Sequence, residues 1–125
     1  MLLYDVLDKL ENYTSVIPHM DRVIDIMDHS KPYDDDIGEY SAGGDGSVKY
    51  YVSAHLSCTE GFPGERREEH LILEICLEGD EIVSVDGSVF RLSPGVFLVY
   101  DGGAVIKRGI ASSLPVAFKT VRFFL

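Results

Sequence analysis

The feature that most constrains the fold is a change in hydrophobic period at Val48. From Val48 to Leu56 apolar residues alternate with polar ones, which is typical of a half-buried strand. Short apolar runs divided by Gly, Pro and Asp turns predict further strands at Leu71–Leu77, Ile82–Val85, Val89–Leu92, Val96–Tyr100, Ala104–Lys107 and Val116–Phe124. Because no helix alternates with these strands, we expect an antiparallel sandwich or barrel.

The first thirty residues have the helical period instead. Apolar residues recur at spacings of three and four in two groups, which are Leu3, Leu7 and Leu10, then Met20, Val23, Ile24 and Met27. The polar, glycine-rich stretch from Lys31 to Ser47 predicts a connecting loop. We therefore expect one domain over residues 1–125, with helices in 1–30 and a β-barrel in 48–125.

The net charge of -10 excludes several classes of partner. An acidic surface repels phosphate backbones and anionic membranes, so we expect neither nucleic-acid nor membrane binding. No apolar run approaches the roughly 20 residues that cross a bilayer, and the first ten residues carry Asp5 and Asp8 where a signal peptide is basic. These features predict a cytoplasmic protein, in which Cys58 and Cys76 are buried free thiols.

Candidate chemistry concentrates on the strand Leu71–Leu77. Alternation places His70 and Glu74 on one face and an all-apolar set on the other, so an imidazole and a carboxylate would point into one hollow. The alternative is that both side chains face solvent at the sheet surface. Tyr51 and His55 lie on the polar face of the first strand, where a surface histidine is the competing interpretation.

Four segments in order resemble the YhcH/YjgK/YiaL family, which includes the small β subunit of the evolved β-galactosidase. They are the opening Leu-Tyr-Asp-Val-Leu-Asp-Lys-Leu-Glu-Asn-Tyr, then Leu77-Glu78-Gly79-Asp80-Glu81, then Leu92 to Tyr100 with Gly103, and the ending Pro115 to Phe123 with Lys119 and Val121. The resemblance implies a mainly β, cupin-like double-stranded β-helix (jelly-roll barrel) with two N-terminal α-helices. It also implies work on sugars, with sialic-acid anomerisation in one branch.

The family's metal ligands are replaced at several positions in this sequence. Aligned without a gap from Gly79, the family's Glu-x-His falls on Glu65 and Arg67, and a Tyr, an Asp and a Gln fall on His70, Ile72 and Glu74. The later His falls on Ile106. An arginine does not bind a cation, so we expect no metal cofactor. A second register pairs Glu68 with His70, and a zinc-like divalent metal would then use His70, Glu74 and Glu68.

The leading hypothesis is a protein that binds a small sugar or sugar acid in the barrel and interconverts its anomers. His70 and Glu74 are the candidate catalytic pair, because ring opening needs one group to remove a proton and another to donate one. The candidate substrate-binding residues are Glu65, Arg67, Tyr51, His55 and Lys119. The rival hypothesis is a non-catalytic subunit that lost the metal site and acts as a homodimer or with a larger enzyme.

Overall fold

The computed structural model describes residues 1–29, 31–42, 48–56, 70–111, 114 and 116–125. Within these ranges there are nine strands, a 3-10 helix (Leu7–Tyr13) and two α-helices, α1 (Met20–Asp28) and α2 (Lys31–Asp34). The strands are β1 (Leu3–Val6), β2 (Gly38–Ala42), β3 (Val48–Leu56), β4 (Leu71–Glu78), β5 (Glu81–Val85), β6 (Ser88–Leu92), β7 (Val96–Asp101), β8 (Ile106–Gly109) and β9 (Ala117–Phe124). Four residues singled out in the sequence, Cys58, Glu65, Arg67 and Glu68, lie outside the described residues.

The strands form two antiparallel sheets that face each other. The larger has the order β1-β7-β4-β9-β3-β2 and the smaller has the order β6-β5-β8. Neighbouring strands in the described ranges pair antiparallel throughout. The chain enters the smaller sheet after β4, returns to the larger one with β7, and crosses again for β8, so side chains of both sheets meet in the interior.

Two hydrophobic clusters cover the two faces of the larger sheet. On one face, Leu73 and Phe123 pack against α1 and the 3-10 helix through buried residues such as Met20 and Val23. On the other face, residues such as Ile72, Leu98 and Phe118 pack against Val83, Val85 and Leu92 of the smaller sheet. The alternation predicted for β4 is confirmed, because Leu73 and Ile75 face the helices while Ile72 and Cys76 face the interior.

The seven strands predicted from the alternating pattern are all present, with ends shifted by at most two residues. The mainly β fold class is thereby confirmed, and α1 matches the second predicted helix. The first predicted helix is different, because Leu3 lies in β1 and pairs with Val99, while Leu7 and Leu10 lie in the 3-10 helix. All three residues still contact the hydrophobic cluster between the larger sheet and α1, which explains their spacing.

The predicted loop from Lys31 to Ser47 also contains regular structure. It forms α2 and then β2, which pairs with β3 along the edge of the larger sheet. Tyr40 of β2 stacks on Tyr50 of β3 with ring centroids 5.3 Å apart. This cross-strand aromatic contact stabilises β2, although the polar, glycine-rich sequence around it predicts a loop.

A bulge and a tight turn at the end of β4 determine where β5 begins. The register between β4 and β9 shifts between Cys76 and Glu78. Gly79 follows with a φ of +79°, and a Cβ atom there would lie 1.9 Å from the carbonyl oxygen of Ala117. Only glycine fits this close approach. The turn brings Glu81, the first residue of β5, into the interior of the sandwich.

None of the helices in the described ranges has both the length and the apolar character that a bilayer crossing requires.

Candidate functional site

A carboxylate lies at the centre of the interior between the two sheets. Glu74 points inward from the middle of β4 and has no exposed surface. Its Oε1 atom lies 2.6 Å from Nη2 of Arg108 and accepts a hydrogen bond of 2.9 Å from the hydroxyl of Tyr100. Its Oε2 atom lies 2.9 Å from Nη1 of Arg108 and 2.9 Å from the hydroxyl of Thr120. Both oxygens are therefore held by protein donors.

Arg108 connects this carboxylate to a second one. Its side chain extends from β8 and is 1% exposed. Besides the two-pronged contact with Glu74, Nη1 donates to Oε1 of Glu81 at 3.0 Å. The other oxygen of Glu81 lies 2.7 Å from Nε2 of His55 on β3. His55, Glu81, Arg108 and Glu74 thus form a continuous series of contacts, which we call the polar chain.

The charges of the polar chain are stabilised mutually. Burial alone would raise the pKa of Glu74, but the charge and hydrogen bonds of Arg108 lower it below its ordinary value. Burial opposes the charge of Arg108, whereas the adjacent Glu74 carboxylate raises the pKa of the guanidinium. The pKa of the Tyr100 hydroxyl is raised by burial and by Glu74. Glu74 and Arg108 are therefore an ion pair, and Tyr100 is a neutral donor.

The polar chain ends at a cavity at one end of the sandwich. The cavity has a volume of about 280 Å³, close to the lower limit of ligand pockets at about 300 Å³. It lies where β3 ends and β9 begins, and its walls include Ala54, His55, Leu56, Glu78, Phe118 and Lys119. The His55 side chain is 20% exposed and meets Phe118 edge-on, with ring centroids 5.3 Å apart. An imidazole with a buried carboxylate behind it therefore borders the cavity.

The structure separates the two residues predicted to be catalytic. Glu74 is central, whereas His70 is half-buried just before β4, with its ring centroid 6.4 Å from that of Phe124. Four residues of extended strand place their Cα atoms about 13 Å apart. Glu78, at the opposite end of β4, borders the cavity. His70 is thus near one end of the strand and the cavity is near the other.

Three of the predicted substrate-binding residues lie in the described part of the chain. His55 and Lys119 border the cavity, and Lys119 also donates to the carbonyl oxygen of Tyr33 at 2.9 Å. Tyr51 lies on the same face of β3 as His55, with the guanidinium of Arg122 5.4 Å from its ring centroid. Glu65 and Arg67 belong to the segment 57–69, which lies outside the described residues.

The described residues do not fit a divalent metal ion. Both oxygens of Glu74 contact protein donors, and the guanidinium 2.6 Å away repels a cation. Ile106 offers no ligand atom, and the described ranges contain no cluster of three or more His, Cys, Asp or Glu side chains arranged to hold a metal. Glu68, the third ligand considered in the sequence, lies outside these ranges.

Two members of the polar chain are absent from the sequence-based prediction. Arg108 follows the predicted strand Ala104–Lys107, and β8 extends to Gly109, so its inward position depends on where the strand ends. Its spacing of two from Ile106, a residue that packs against the inter-sheet cluster, is the one local signal. Glu81 appears in the sequence only as part of a turn segment, and its burial depends on the Gly79 turn.

Solved structures that superpose on nearly three quarters of this chain identify the fold. A cupin protein from Bacteroides fragilis is 15% identical, with a TM-score of 0.53 over 73% of this chain and 76% of its own. A protein from Neisseria meningitidis is 13% identical, with a TM-score of 0.54 over 72% of this chain and 83% of its own. The chain has a cupin fold. A conserved cupin barrel domain protein from Leptotrichia buccalis is 16% identical, with a TM-score of 0.51 over 72% of this chain and 41% of its own.

The similarity concerns the fold alone, because identities this low carry no information on ligand or reaction. No family model and no curated protein matches this cupin-fold chain by sequence. Its function must therefore be argued from the cavity and the polar chain.

Proposed function

We propose that this cupin-fold protein binds a small sugar or sugar acid in the cavity beside His55 and interconverts its anomers. The observation that carries the proposal is the contact of 2.7 Å between His55 and the buried Glu81 at the wall of that cavity. Glu78 and Lys119 add an acceptor and a donor, and Phe118 and Leu56 add apolar surface. Sites of this kind combine an apolar lining with a few polar groups that orient the ligand.

The hydrogen bond to Glu81 determines which nitrogen of His55 would exchange protons. Glu81 is held by Arg108 and an ionised carboxylate only accepts hydrogen bonds, so Nε2 of His55 carries the hydrogen. Nδ1 is buried, so the proton from the anomeric hydroxyl passes to the hydrogen-bonded pair of His55 and Glu81 on the Nε2 side. As the bond between the anomeric carbon and the ring oxygen breaks, the ring oxygen receives a proton from the ammonium group of Lys119 and an open-chain carbonyl forms. Ring closure on the other face reverses these steps.

His70 and Glu74 have different places in this proposal. Glu74 acts through Arg108, because both of its oxygens are occupied and it has no exposed surface. Contact of His70 with a ligand stays a prediction, as do the roles of Glu65 and Arg67. His70 would serve a ligand near Phe124, toward the other end of the strand.

The test is anomer exchange measured by NMR on a panel of small sugars and sugar acids. We expect the wild-type protein to accelerate exchange of one of them and His55→Gln to lose about 100-fold or more of that rate, because positioned acid–base groups contribute this much. His29→Gln is the matched control, since His29 is exposed at the end of α1. Full activity in His55→Gln would remove His55 from the reaction.

A second candidate function is a non-catalytic partner subunit. Leu2, Tyr4 and Val6 are 40–46% exposed at the edge of the larger sheet, and the ring of Tyr4 lies 5.1 Å from Phe90 at the edge of the smaller one. Exposed apolar surface of this kind is typical of interfaces. Light scattering on wild type and Tyr4→Glu is the test, and a larger species only in wild type would favour this function. The C-terminal Phe123 and Phe124 are buried and contribute no such surface.

We also propose that the chain is a divergent member of the YhcH/YjgK/YiaL family. The cupin fold agrees with that resemblance, and the family's turn segment Leu77 to Glu81 coincides with the bulge and turn that carry Glu81 inward. A sugar response in the anomer-exchange assay would support membership, whereas a metal-dependent reaction on an aromatic acid would oppose it.

A further inference from the structure

The helical layer carries a second cavity, on the opposite face of the larger sheet from the polar chain. It lies between the 3-10 helix, α1 and α2 and has a volume of about 290 Å³. It is lined by four apolar residues, three carboxylates and one tyrosine, which are Leu7, Leu10, Ile24 and Met27, then Asp8, Glu11 and Asp28, and Tyr33. We call it the helix-side cavity, and the proposed sugar chemistry makes no use of it.

The apolar residues form a floor because each helix repeats them on one side. Leu7 and Leu10 are three residues apart, and residues at this spacing lie above one another in a 3-10 helix. Ile24 and Met27 are also three residues apart, which places them on one face of α1. Leu10 is buried, and the other three are partly buried against the core between the helices and the larger sheet. The floor is therefore an apolar surface held in place by that core.

The rim of the helix-side cavity is acidic. Asp8, Glu11 and Asp28 each come directly after a residue of the apolar floor, and all three are exposed. Their carboxylates make no hydrogen bond or ion pair with another residue in the described ranges, and none of the described lining residues is basic. Charged groups that surround an apolar floor favour a ligand that combines an apolar body with the opposite charge.

The end of α1 adds to this negative potential. Asp28 is the last residue of α1, a position where a cation is ordinarily favoured, and the last turn of the helix has no basic residue. Carbonyl groups at the end of a helix lack partners within it and carry partial negative charge. They reinforce the carboxylate of Asp28, so a positively charged group is the ligand chemistry that this arrangement favours.

The size of the cavity favours a small ligand over a protein. Its volume of about 290 Å³ is close to the lower limit of ligand pockets at about 300 Å³. A protein partner would need an interface of about 800 Å² on this chain. Among the described lining residues, Tyr33 is the one large apolar side chain that is fully exposed to this extent, at 44%. The lining therefore adds little exposed apolar surface for a larger partner.

We propose that the helix-side cavity binds a small aliphatic diamine. The methylene chain would contact the apolar floor, and the two ammonium groups would lie beside the carboxylates of the two helices. Asp8 and Glu11 would receive one ammonium group and Asp28 the other. The ring of Tyr33 adds an aromatic face, which attracts a cation. The site lies apart from His55, so the proposal does not depend on the sugar chemistry.

The test is an amide NMR titration of the full chain with diaminohexane, without added sugar. We expect saturable shifts at Leu10, Glu11, Met27 and Asp28. Diaminopropane should bind at least tenfold more weakly, because each buried methylene group changes affinity about fourfold. Hexanol has the apolar chain without the charges, and we expect no saturable shift from it at the same concentration.

Variants of equal charge separate the cavity from the general acidity of the protein. Asp28→Asn and Glu11→Gln each remove one carboxylate from the rim, and we expect each to weaken diaminohexane binding about threefold, since exposed ion pairs contribute little. Asp21→Asn is the matched control, because it removes a carboxylate from the exposed first turn of the same helix, outside the cavity lining. We expect its affinity to equal that of wild type.

An equal loss of affinity in Asp21→Asn and Asp28→Asn would overturn the proposal, because binding would then follow net charge alone. Absence of saturable shifts around the cavity, or an equal response to hexanol, would overturn it as well. A lysine-rich peptide that shifts the same amides where diaminohexane does not would assign the cavity to a protein partner instead. None of these outcomes involves His55, so failure here leaves the anomer-exchange test unaffected.

Discussion

Glu74 shows how a buried carboxylate becomes part of a β-sandwich core. It makes four polar contacts, two of them with Arg108, in an interior that is otherwise lined by residues such as Ile72 and Leu98. Breaking a buried pair by removing one partner is costly because the other charge is left behind. The stability of this interior therefore depends on the pair being complete.

For Glu74→Gln we expect the free energy of unfolding at neutral pH to fall by about 3 kcal/mol. Urea denaturation measures this change. Glu78→Gln is the matched control, because Glu78 lies on the same strand and is exposed, and we expect it to change stability by less than about 0.5 kcal/mol. A Glu74→Gln protein as stable as wild type would contradict the account of the polar chain.

The same carboxylate predicts a pH dependence. The pKa of Glu74 is lowered in the folded protein, so its stabilising contribution is complete above the ordinary glutamate pKa of about 4.3 and is lost as the pH falls through the folded value. We expect wild type to lose stability in acid more steeply than Glu74→Gln does. Denaturant titrations across the acid range check this, and parallel curves would contradict it.

At the residue scale, the sequence predicts which face of a strand each side chain lies on, but not which residues it contacts. Alternation is sufficient to place Glu74 between the two sheets and Leu73 on the face that packs against the helices. The contact with Arg108 joins residues 34 positions apart and depends on how β8 packs over β4. Charged residues are ordinarily exposed, so nothing local identifies Arg108 as buried.

At the scale of elements, the turn between β4 and β5 does the most to place the candidate site. Gly79 has a positive φ and contacts the backbone of Ala117 so closely that no Cβ atom fits. The turn determines the position of Glu81, and through it the orientation of His55. The backbone conformation at Gly79 therefore affects the position of His55 in the cavity wall.

We expect Gly79→Ala to be destabilised by about 3 kcal/mol or more, because strain and a backbone clash act together. Gly87→Ala is the control, since Gly87 has a similar φ of +91° but nothing within 4 Å of an added Cβ. Strain alone should cost it about 1 kcal/mol. Urea denaturation of both variants is the measurement, and equal losses would contradict the close approach to Ala117.

The elements that the sequence predicts best are those with a strong period. The alternating runs of β3 to β9 were each predicted to within two residues. β1 and β2 are short edge strands whose pairing comes from β7 and β3, and their own residues carry little pattern. The spacing of Leu3, Leu7 and Leu10 suits a helix as well as a strand followed by a 3-10 helix, so tertiary pairing decides between them.

At the scale of the whole molecule, the cupin fold brings distant polar residues to one cavity. β3, β4, β5 and β8 each supply one member of the polar chain, and the chain runs from the centre of the sandwich to its end. The change of period at Val48 predicts the class of fold, but the cavity itself depends on how the two sheets are superposed. His70 shows what the sequence could not predict: alternation places it on the same face as Glu74, but it lies away from this cavity.

The most direct test of the central claim is an amide NMR titration of the whole protein with the panel of sugars and sugar acids. We expect saturable shifts at His55, Ala117 and Lys119, around the cavity, and much smaller shifts near His70 and Phe124. Saturable shifts centred on His70, with none around His55, would contradict the assignment of the cavity as the binding site.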